Sequence, residues 1–272
     1  MIIDNISNNI KKNKREMFII LIMAFYLVGL GLWDEKDISL KGLEDAKKCD
    51  IVYMEEYTSK LGVDNEKIEE LIGKKINVLS RKDVEQSDIL IKNAKNKDIA
   101  FLVGGDPLTA TTHIDLIIQA RKEKIKTKII HASSIYTSVC ESGLFIYKFG
   151  KSCSIPFPTK DYNPTSFYDV ITENLSRGLH TLVFLDIHQD ENKFMTINQG
   201  LKRILEVSEE KDNAISENTL AVGFARMGSD GQIIKFGKIK DLINFDFGKP
   251  QHVLVIPGKL HFVEQEALEM YQ

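Results

Sequence analysis

Five short apolar runs follow one another between Met23 and Tyr147, each separated from the next by a stretch of helical character. That alternation leaves few folds open. The runs cover residues 25–30, 51–57, 75–79, 99–103 and 127–131. Ser39 is placed to cap a helix running through Cys49, and Asp64 to cap a shorter one ending near Gly73. Polar or amphipathic stretches over about 83–96, 109–124 and from Ser133 onward fill the other intervals. Parallel neighbours need a long crossover, so the pattern predicts a mostly parallel sheet covered by helices.

The pattern changes after KSCSIPFPTKDYNP (151–164), which holds three of the six prolines and reads as a linker. Beyond it lie a helix stopped by Gly178, a strong strand HTLVFLDI, a helix over 195–208 and a strand TLAVGFARM. GSDG (228–231) then turns the chain into QIIKFG, which implies antiparallel pairing. A last strand, HVLVIPG, and a last helix over 260–271 close the chain. The expectation is therefore two α/β domains, residues 23–152 with a mostly parallel sheet and 165–272 with a mixed one, joined by a linker over 153–164.

Residues 1–22 carry KKNKR and then enter the apolar FIILIMAFYLVGL, which resembles the basic and apolar regions of a signal peptide. No small-residue cleavage site follows, and the run is short for a membrane span of about 20 apolar residues. FYLVGLGL is better read as the first core strand and its glycine-rich exit, with residues 1–22 an accessory extension. The net charge of −3, with 36 basic and 39 acidic residues interspersed, argues against nucleic-acid binding, which needs a concentrated basic surface. Three cysteines outside any CxxC fit buried thiols in a reducing compartment, and six scattered histidines give no zinc-ligand spacing, so no metal is expected.

Three loops invite a functional reading. GLGLWD (29–34) leaves the first strand like a dinucleotide loop, but Asp34 stands where the third glycine belongs and would repel a pyrophosphate. A tight turn over the core is the plain alternative. VGGDPLTATTH (103–113) puts two glycines, an acid and a proline at the end of a buried strand, where open α/β sheets bind ligands. Read alone it is matched evenly by simple helix entry with Asp106 or Thr109 as cap. ASSIYTSV (132–139) also opens a helix, and capping by Ser133 or Ser134 accounts for it alone. His113 and His131 read as hydrogen-bonded structural histidines, and no GxSxG supports a hydrolase.

Taken together, GLGLWDEKDISLKG, EEYTS, VGGDPLTATTH, IHASSIY, YKFGKS, HTLVFLDI, GFARMGSD and KPQHVLVIPGKLH resemble the diphthine synthases, in order and at similar spacing from Met23 to the C-terminus. These belong to the tetrapyrrole-methylase superfamily of S-adenosylmethionine-dependent methyltransferases. The resemblance implies a cytoplasmic homodimer with the cofactor in a cleft between the two domains. It places cofactor contacts at Leu32, Asp106, Thr109, Ser134, Ile135, Leu185, Met227 and His252, with Asp106 binding the cofactor's polar end or balancing its charge. The implied reaction transfers methyl groups to the amino group of a modified histidine on translation elongation factor 2, leaving S-adenosylhomocysteine. No general base and no metal are implied, and neither nucleic acid nor membrane is expected as partner. Within such a family archaeal-type enzymes stop at the trimethylammonium and eukaryotic-type enzymes add a methyl ester; VGFARMGSDGQ and MTINQG lean towards the ester. Methylation of a small tetrapyrrole, or cofactor binding without catalysis, are the alternatives from other classes.

Overall fold

The structure, a computed structural model, describes residues 23–272; the extension expected over 1–22 lies outside them. The five apolar runs become five parallel strands: β1 (Ala24–Gly29), β2 (Ile51–Glu55), β3 (Ile76–Leu79), β4 (Ile99–Val103) and β5 (Lys126–Ile130). They lie in the order β3-β2-β4-β1-β5. Central β4 pairs with both β1 and β2, Phe101 standing opposite Leu27 on one side and Tyr53 on the other. Every residue of β4 is buried because helices cover both faces. Ile99, Phe101 and Val103 pack with Leu116, Ile117 and Ala120, while Ala100 and Leu102 join Ala46, Ile68 and Ile72 on the opposite face.

The helices come from α1 (Leu40–Lys48), α2 (Asn65–Ile72), α3 (Arg81–Gln86), α4 (Ile89–Ala94) and α5 (Ile114–Lys122). Ser39 caps α1 as expected, its hydroxyl accepting from the Gly42 N–H at 3.1 Å. Two expectations fail at helix ends. The polar helix over 83–96 is two helices broken at Ser87, and the helix expected from Thr109 begins only at Ile114. TATT is therefore loop, and it lines a cavity instead of continuing a helix.

The second sheet contains β6 (Cys153–Ile155), β7 (Thr181–Leu185), β10 (Leu220–Ala225), β11 (Ile233–Lys238) and β12 (His252–Ile256), in the order β11-β10-β12-β7-β6; β8 (Ile187–His188) and β9 (Lys193–Phe194) form a small separate ribbon. Three of its four pairings are antiparallel, and the hairpin read from GSDG joins β10 to β11. Its helices are the short α6 (Ile135–Ser138), α7 (Ser166–Ser176), α8 (Ile197–Glu210), α9 (Ile239–Leu242) and α10 (Phe262–Glu269). Thr196 and Gln199 form a reciprocal capping box that starts α8.

The stretch expected as a linker needs correction. Cys153–Ile155 is an edge strand of the second sheet, paired parallel to β7. Val139 and Leu144 already lie in that sheet's core with Leu182, Val222 and Leu268. The chain thus passes from one sheet to the other between Ile130 and Ile135. Prolines in 151–164 mark a turn-rich connection within the second layer, because their missing N–H groups are tolerated beside an edge strand.

Candidate active site

A cavity of about 560 Å³ opens between the C-terminal ends of the first sheet's strands and one end of the second sheet. All eight positions expected to touch a cofactor line it: Leu32, Asp106, Thr109, Ser134 and Ile135 on the first wall, and Leu185, Met227 and His252 on the second. Parallel strands deliver all their exits to one edge, which explains why the first wall is built from the segments that follow all five strands, β1 to β5. On the second wall antiparallel pairing puts the exits of β7 and β10 beside the entry of β12.

The glycine corner after β4 divides its labour. A Cβ on Gly104 would meet the Cβ of Ser59 at 3.0 Å, so this glycine admits a protein loop and not a ligand. Gly105 is left-handed (φ +73°), and nothing lies within 4 Å of where its Cβ would stand. That opening faces the cavity. Gly105 and Gly31 bridge the two loops by mutual backbone hydrogen bonds of 2.7 and 3.3 Å, so the two glycine-bearing motifs form one floor. GLGLWD itself resolves to the plain reading: Asp34 and Asp37 form a capping box on a single turn of 3₁₀ helix. The turn runs into that 3₁₀ segment, and α1 starts only at Leu40, so no helix N-terminus opens directly from the glycines as in a dinucleotide loop.

Asp106 is nearly buried, and its carboxylate is committed to the protein. Oδ1 accepts from the Leu108 N–H at 3.0 Å and the Thr109 hydroxyl at 3.3 Å. Oδ2 accepts from His131 Nδ1 at 2.7 Å and the Ala132 N–H at 3.3 Å. Four donors match the four lone-pair sites of a carboxylate, so Asp106 ties the exit of β4 to that of β5. Of the two roles expected of Asp106, binding a ligand's polar end or balancing its charge, the second suits a carboxylate whose oxygens are already engaged by the protein at the cavity wall. Neither Asp106 nor Thr109 caps a helix, since α5 starts at Ile114; Asp106 closes a turn through Leu108 and Thr109 instead.

Ser134 caps α6, accepting from the Tyr136 N–H at 3.3 Å, and keeps its hydroxyl proton to donate. His252 is pinned through both ring nitrogens: Nδ1 accepts from the Ile197 N–H at 3.3 Å and Nε2 donates to the Lys249 carbonyl at 3.1 Å. Burial, aided by the nearby Arg226 charge, lowers its pKa and keeps the ring neutral. Its ring is thereby occupied, leaving the main chain to face the cavity. Arg226, which the sequence reading passed over, donates to the carbonyls of Gly231, Phe247 and Lys249 and so clamps the turn that presents Met227.

Other wall residues were also missed. Asp186, next to Leu185, accepts from the N–H groups of Phe157 at 2.7 Å and Ile187 at 3.0 Å. Tyr57, Arg81, Glu85 and His113 line the far end. His113 is 2% exposed, and its Nε2 lies 3.5 Å from the Tyr57 hydroxyl. Nδ1 has no hydrogen-bond partner. Burial pushes its pKa down to about 4; the neighbouring Pro107 carbonyl opposes this without reaching hydrogen-bond geometry. The expectation of a hydrogen-bonded structural histidine holds for His131 and, through Nε2 alone, for His113.

Comparison with known proteins follows the geometry. The profile of the tetrapyrrole (corrin/porphyrin) methylases matches residues 24–243. The chain is 56% identical to the diphthine synthase of Methanocaldococcus jannaschii over 89% of this chain and 96% of the relative. It is 51% identical to that of Methanosarcina mazei over 89% and 93%. A crystal structure of diphthine synthase superposes with a TM-score of 0.84 at 41% identity, covering 91% of this chain and 95% of that one. One from Entamoeba histolytica gives the same TM-score and identity over 92% and 98%.

Proposed function

The chain belongs to the diphthine synthase family of the tetrapyrrole methylases and is a methyltransferase, and from that premise we propose that its cleft binds S-adenosylmethionine and methylates the modified histidine of translation elongation factor 2. The observation that carries this reading is the convergence of all eight expected positions, from six separate stretches of the sequence, on one cavity. Its volume falls within the roughly 300–1,000 Å³ of small-molecule sites. The left-handed, uncovered Gly105 gives a ligand access to backbone, and the Ser134 hydroxyl offers a donor.

Bound there, S-adenosylmethionine supplies a methyl group already activated by its sulfonium. The chain's task is to align and to exclude water. Leu32, Ile135, Leu185 and Met227 line the cleft with apolar surface. Asp106 holds the exits of β4 and β5 at fixed separation and leaves a negative charge at the wall. Arg226 and His252 do the equivalent across the cleft by clamping backbone.

Two domains are proposed around the two sheets, with the crossing at 131–134, together with a homodimeric assembly and a cytoplasmic location suited to a translation-factor substrate. Among the described residues no helix is long and apolar enough to cross a membrane. Over the whole chain, identity to the archaeal relatives (56% and 51%) exceeds that to the Entamoeba structure (41%), which weighs for three methyls against the ester suggested by two short segments.

The test is intact mass of elongation factor 2 bearing the amine precursor, after incubation with the protein and S-adenosylmethionine. A gain of three methyls, or of four with a base-labile ester, is the expected class of result. An unchanged mass, with a tetrapyrrole methylated instead, would move the chain to the small-molecule branch.

A further inference from the structure

The cavity is longer than its cofactor positions require. Leu32, Asp106, Thr109, Ser134 and Ile135 follow β1, β4 and β5, which are adjacent in the sheet. Other first-wall residues follow β2 and β3, towards the opposite edge: Tyr57 after β2, then Arg81 and Glu85 on α3 after β3. With strands about 4.8 Å apart, the cavity runs along the sheet edge with its two ends over different strands.

The chemistry of the two ends differs. Over β4-β1-β5 the wall is backbone, small hydroxyls and apolar side chains, with one carboxylate, Asp106, whose oxygens are engaged by the protein. Over β2-β3 it is an open pair of charges against an aromatic ring. The Arg81 guanidinium lies 4.9 Å from the centroid of Tyr57, and its only ion partner among the described residues, Glu85, is 3.6 Å away. The Arg81 and Glu85 side chains are 61% and 42% exposed, so this end opens to solvent. Behind them stands His113, whose Nε2 lies 3.5 Å from the Tyr57 hydroxyl and so fixes that hydroxyl's position at the wall.

We propose that this end is the acceptor subsite, where a protein-borne side chain carrying both an amine and a carboxylate sets its carboxylate on Arg81 and its nitrogen against Tyr57 and Glu85. The inference rests on the reading of function given above. A guanidinium with one long ion pair retains donors for a second carboxylate, and its planar fork suits one. The nitrogen loses its hydrogen-bond donors as methyls accumulate while keeping positive charge. An aromatic ring and a carboxylate hold such a cation where hydrogen-bond acceptors would release it. Burial, together with Glu55 and Glu85, pushes the Tyr57 phenol up, so it stays neutral beside that cation. Solvent access at this end suits a side chain reaching in from a folded partner.

The loop that carries Tyr57 also links the subsite to the second wall. The Ser59 hydroxyl reaches Gln251 Oε1 at 3.3 Å, and the Gln251 amide donates to the Lys60 carbonyl at 2.5 Å. Gln251 precedes His252, so acceptor and cofactor ends share one bridge.

The experiment measures, on the full chain, steady-state methyl transfer to precursor-bearing elongation factor 2 and calorimetric affinity for S-adenosylhomocysteine. Arg81→Gln should raise KM for the protein acceptor roughly tenfold or more, the loss of a charge-assisted bond, with kcat and S-adenosylhomocysteine affinity near those of the unaltered chain. Arg81→Lys should recover part of the loss, since it restores charge without the fork. Tyr57→Leu should shift the product masses towards one and two methyls. An unchanged acceptor KM in Arg81→Gln overturns the subsite alone, as does a parallel loss of S-adenosylhomocysteine affinity, which would assign Arg81 to the cofactor. If the unaltered chain transfers no methyl, the reading of function falls and takes the subsite with it.

Discussion

The two walls of the cleft are built by different means. On the first, loops leaving parallel strands carry their chemistry in continuous words of sequence: VGGDPLTATTH alone supplies Gly105, Asp106, Thr109 and His113. On the second, the wall is assembled from points far apart, Ser154, Asp186, Arg226 and Gln251, and most of their polar atoms are spent on clamping backbone. A parallel sheet sends every strand exit to one edge, so function collects in contiguous loops. A mixed sheet sends only alternate ends there, so its contribution is scattered. The difference also shows in buried ionisable groups. Glu264, at the start of α10 in the second half, is fully buried and completely served. Burial pushes its pKa up, but the His261 N–H, Lys148, the Phe145 N–H and His180 outweigh this and hold it down to about 2. His113, on the first wall, is buried with one nitrogen unserved. Glu264 thus belongs to a stability network, whereas His113 at the cavity wall is held by a single hydrogen bond.

The largest effect that would sharpen this contrast is Glu264→Ala. It strips Lys148, His180 and two backbone N–H groups of their acceptor, and should cost about 3–5 kcal/mol of folding stability. Per folded molecule, affinity for S-adenosylhomocysteine should be unchanged. A chain of unaltered urea midpoint would show that the network carries no stability. Next in size, Asp106→Ala leaves four donors unpaired and should lose about 2–4 kcal/mol of stability, and also about 1–3 kcal/mol of S-adenosylhomocysteine affinity. Loss of stability without loss of affinity, seen by calorimetry, would make Asp106 as purely structural as Glu264 and erase the contrast.

A smaller effect belongs to His113. Its folded pKa, about 4, lies below the ordinary 6.5, so the unfolded chain takes up the proton first as pH falls. Its contribution is complete above 6.5 and is lost on acidification through the window from 6.5 towards 4. Between pH 7 and pH 5 that is about 2 kcal/mol. His113→Asn should flatten this slope in urea titrations at the two pH values, and an identical slope in the variant would deny His113 its buried neutral state. The smallest effect is expected from Gly104→Ala. Its new Cβ presses on Ser59 and should cost about 1 kcal/mol. Because Ser59 sits on the Tyr57 loop, acceptor KM should move and cofactor affinity should not; the reverse would place Gly104 at the cofactor.

What the sequence disclosed follows the same division. The parallel sheet was legible because β1 to β5 are short apolar runs spaced by helices, and Ser39, Gly73 and Gly178 mark helix ends by local rules. The hairpin from β10 to β11 was legible from GSDG. Local rules could not show that TATT leaves the helix to line a cavity, since its residues tolerate either state. Nor could they show that Cys153–Ile155 joins an edge, because three residues among prolines carry no periodicity. Asp106 announced itself by its setting, but whether its oxygens were free depended on Ala132 and His131, over twenty residues away. Arg226 and Gln251 stood beside expected positions without a signal of their own. Tyr57 and Arg81 meet only when β2 and β3 pair, a fact of tertiary structure.

One cleft, made by both walls, is proposed to hold the methyl donor. Amide hydrogen exchange of the full chain with and without S-adenosylhomocysteine tests it most directly. Protection is expected in 104–110 and 134–136 on the first wall, and at the same time in 185–187, 226–228 and 251–253 on the second. Protection confined to one wall, or appearing only outside these segments, would contradict it.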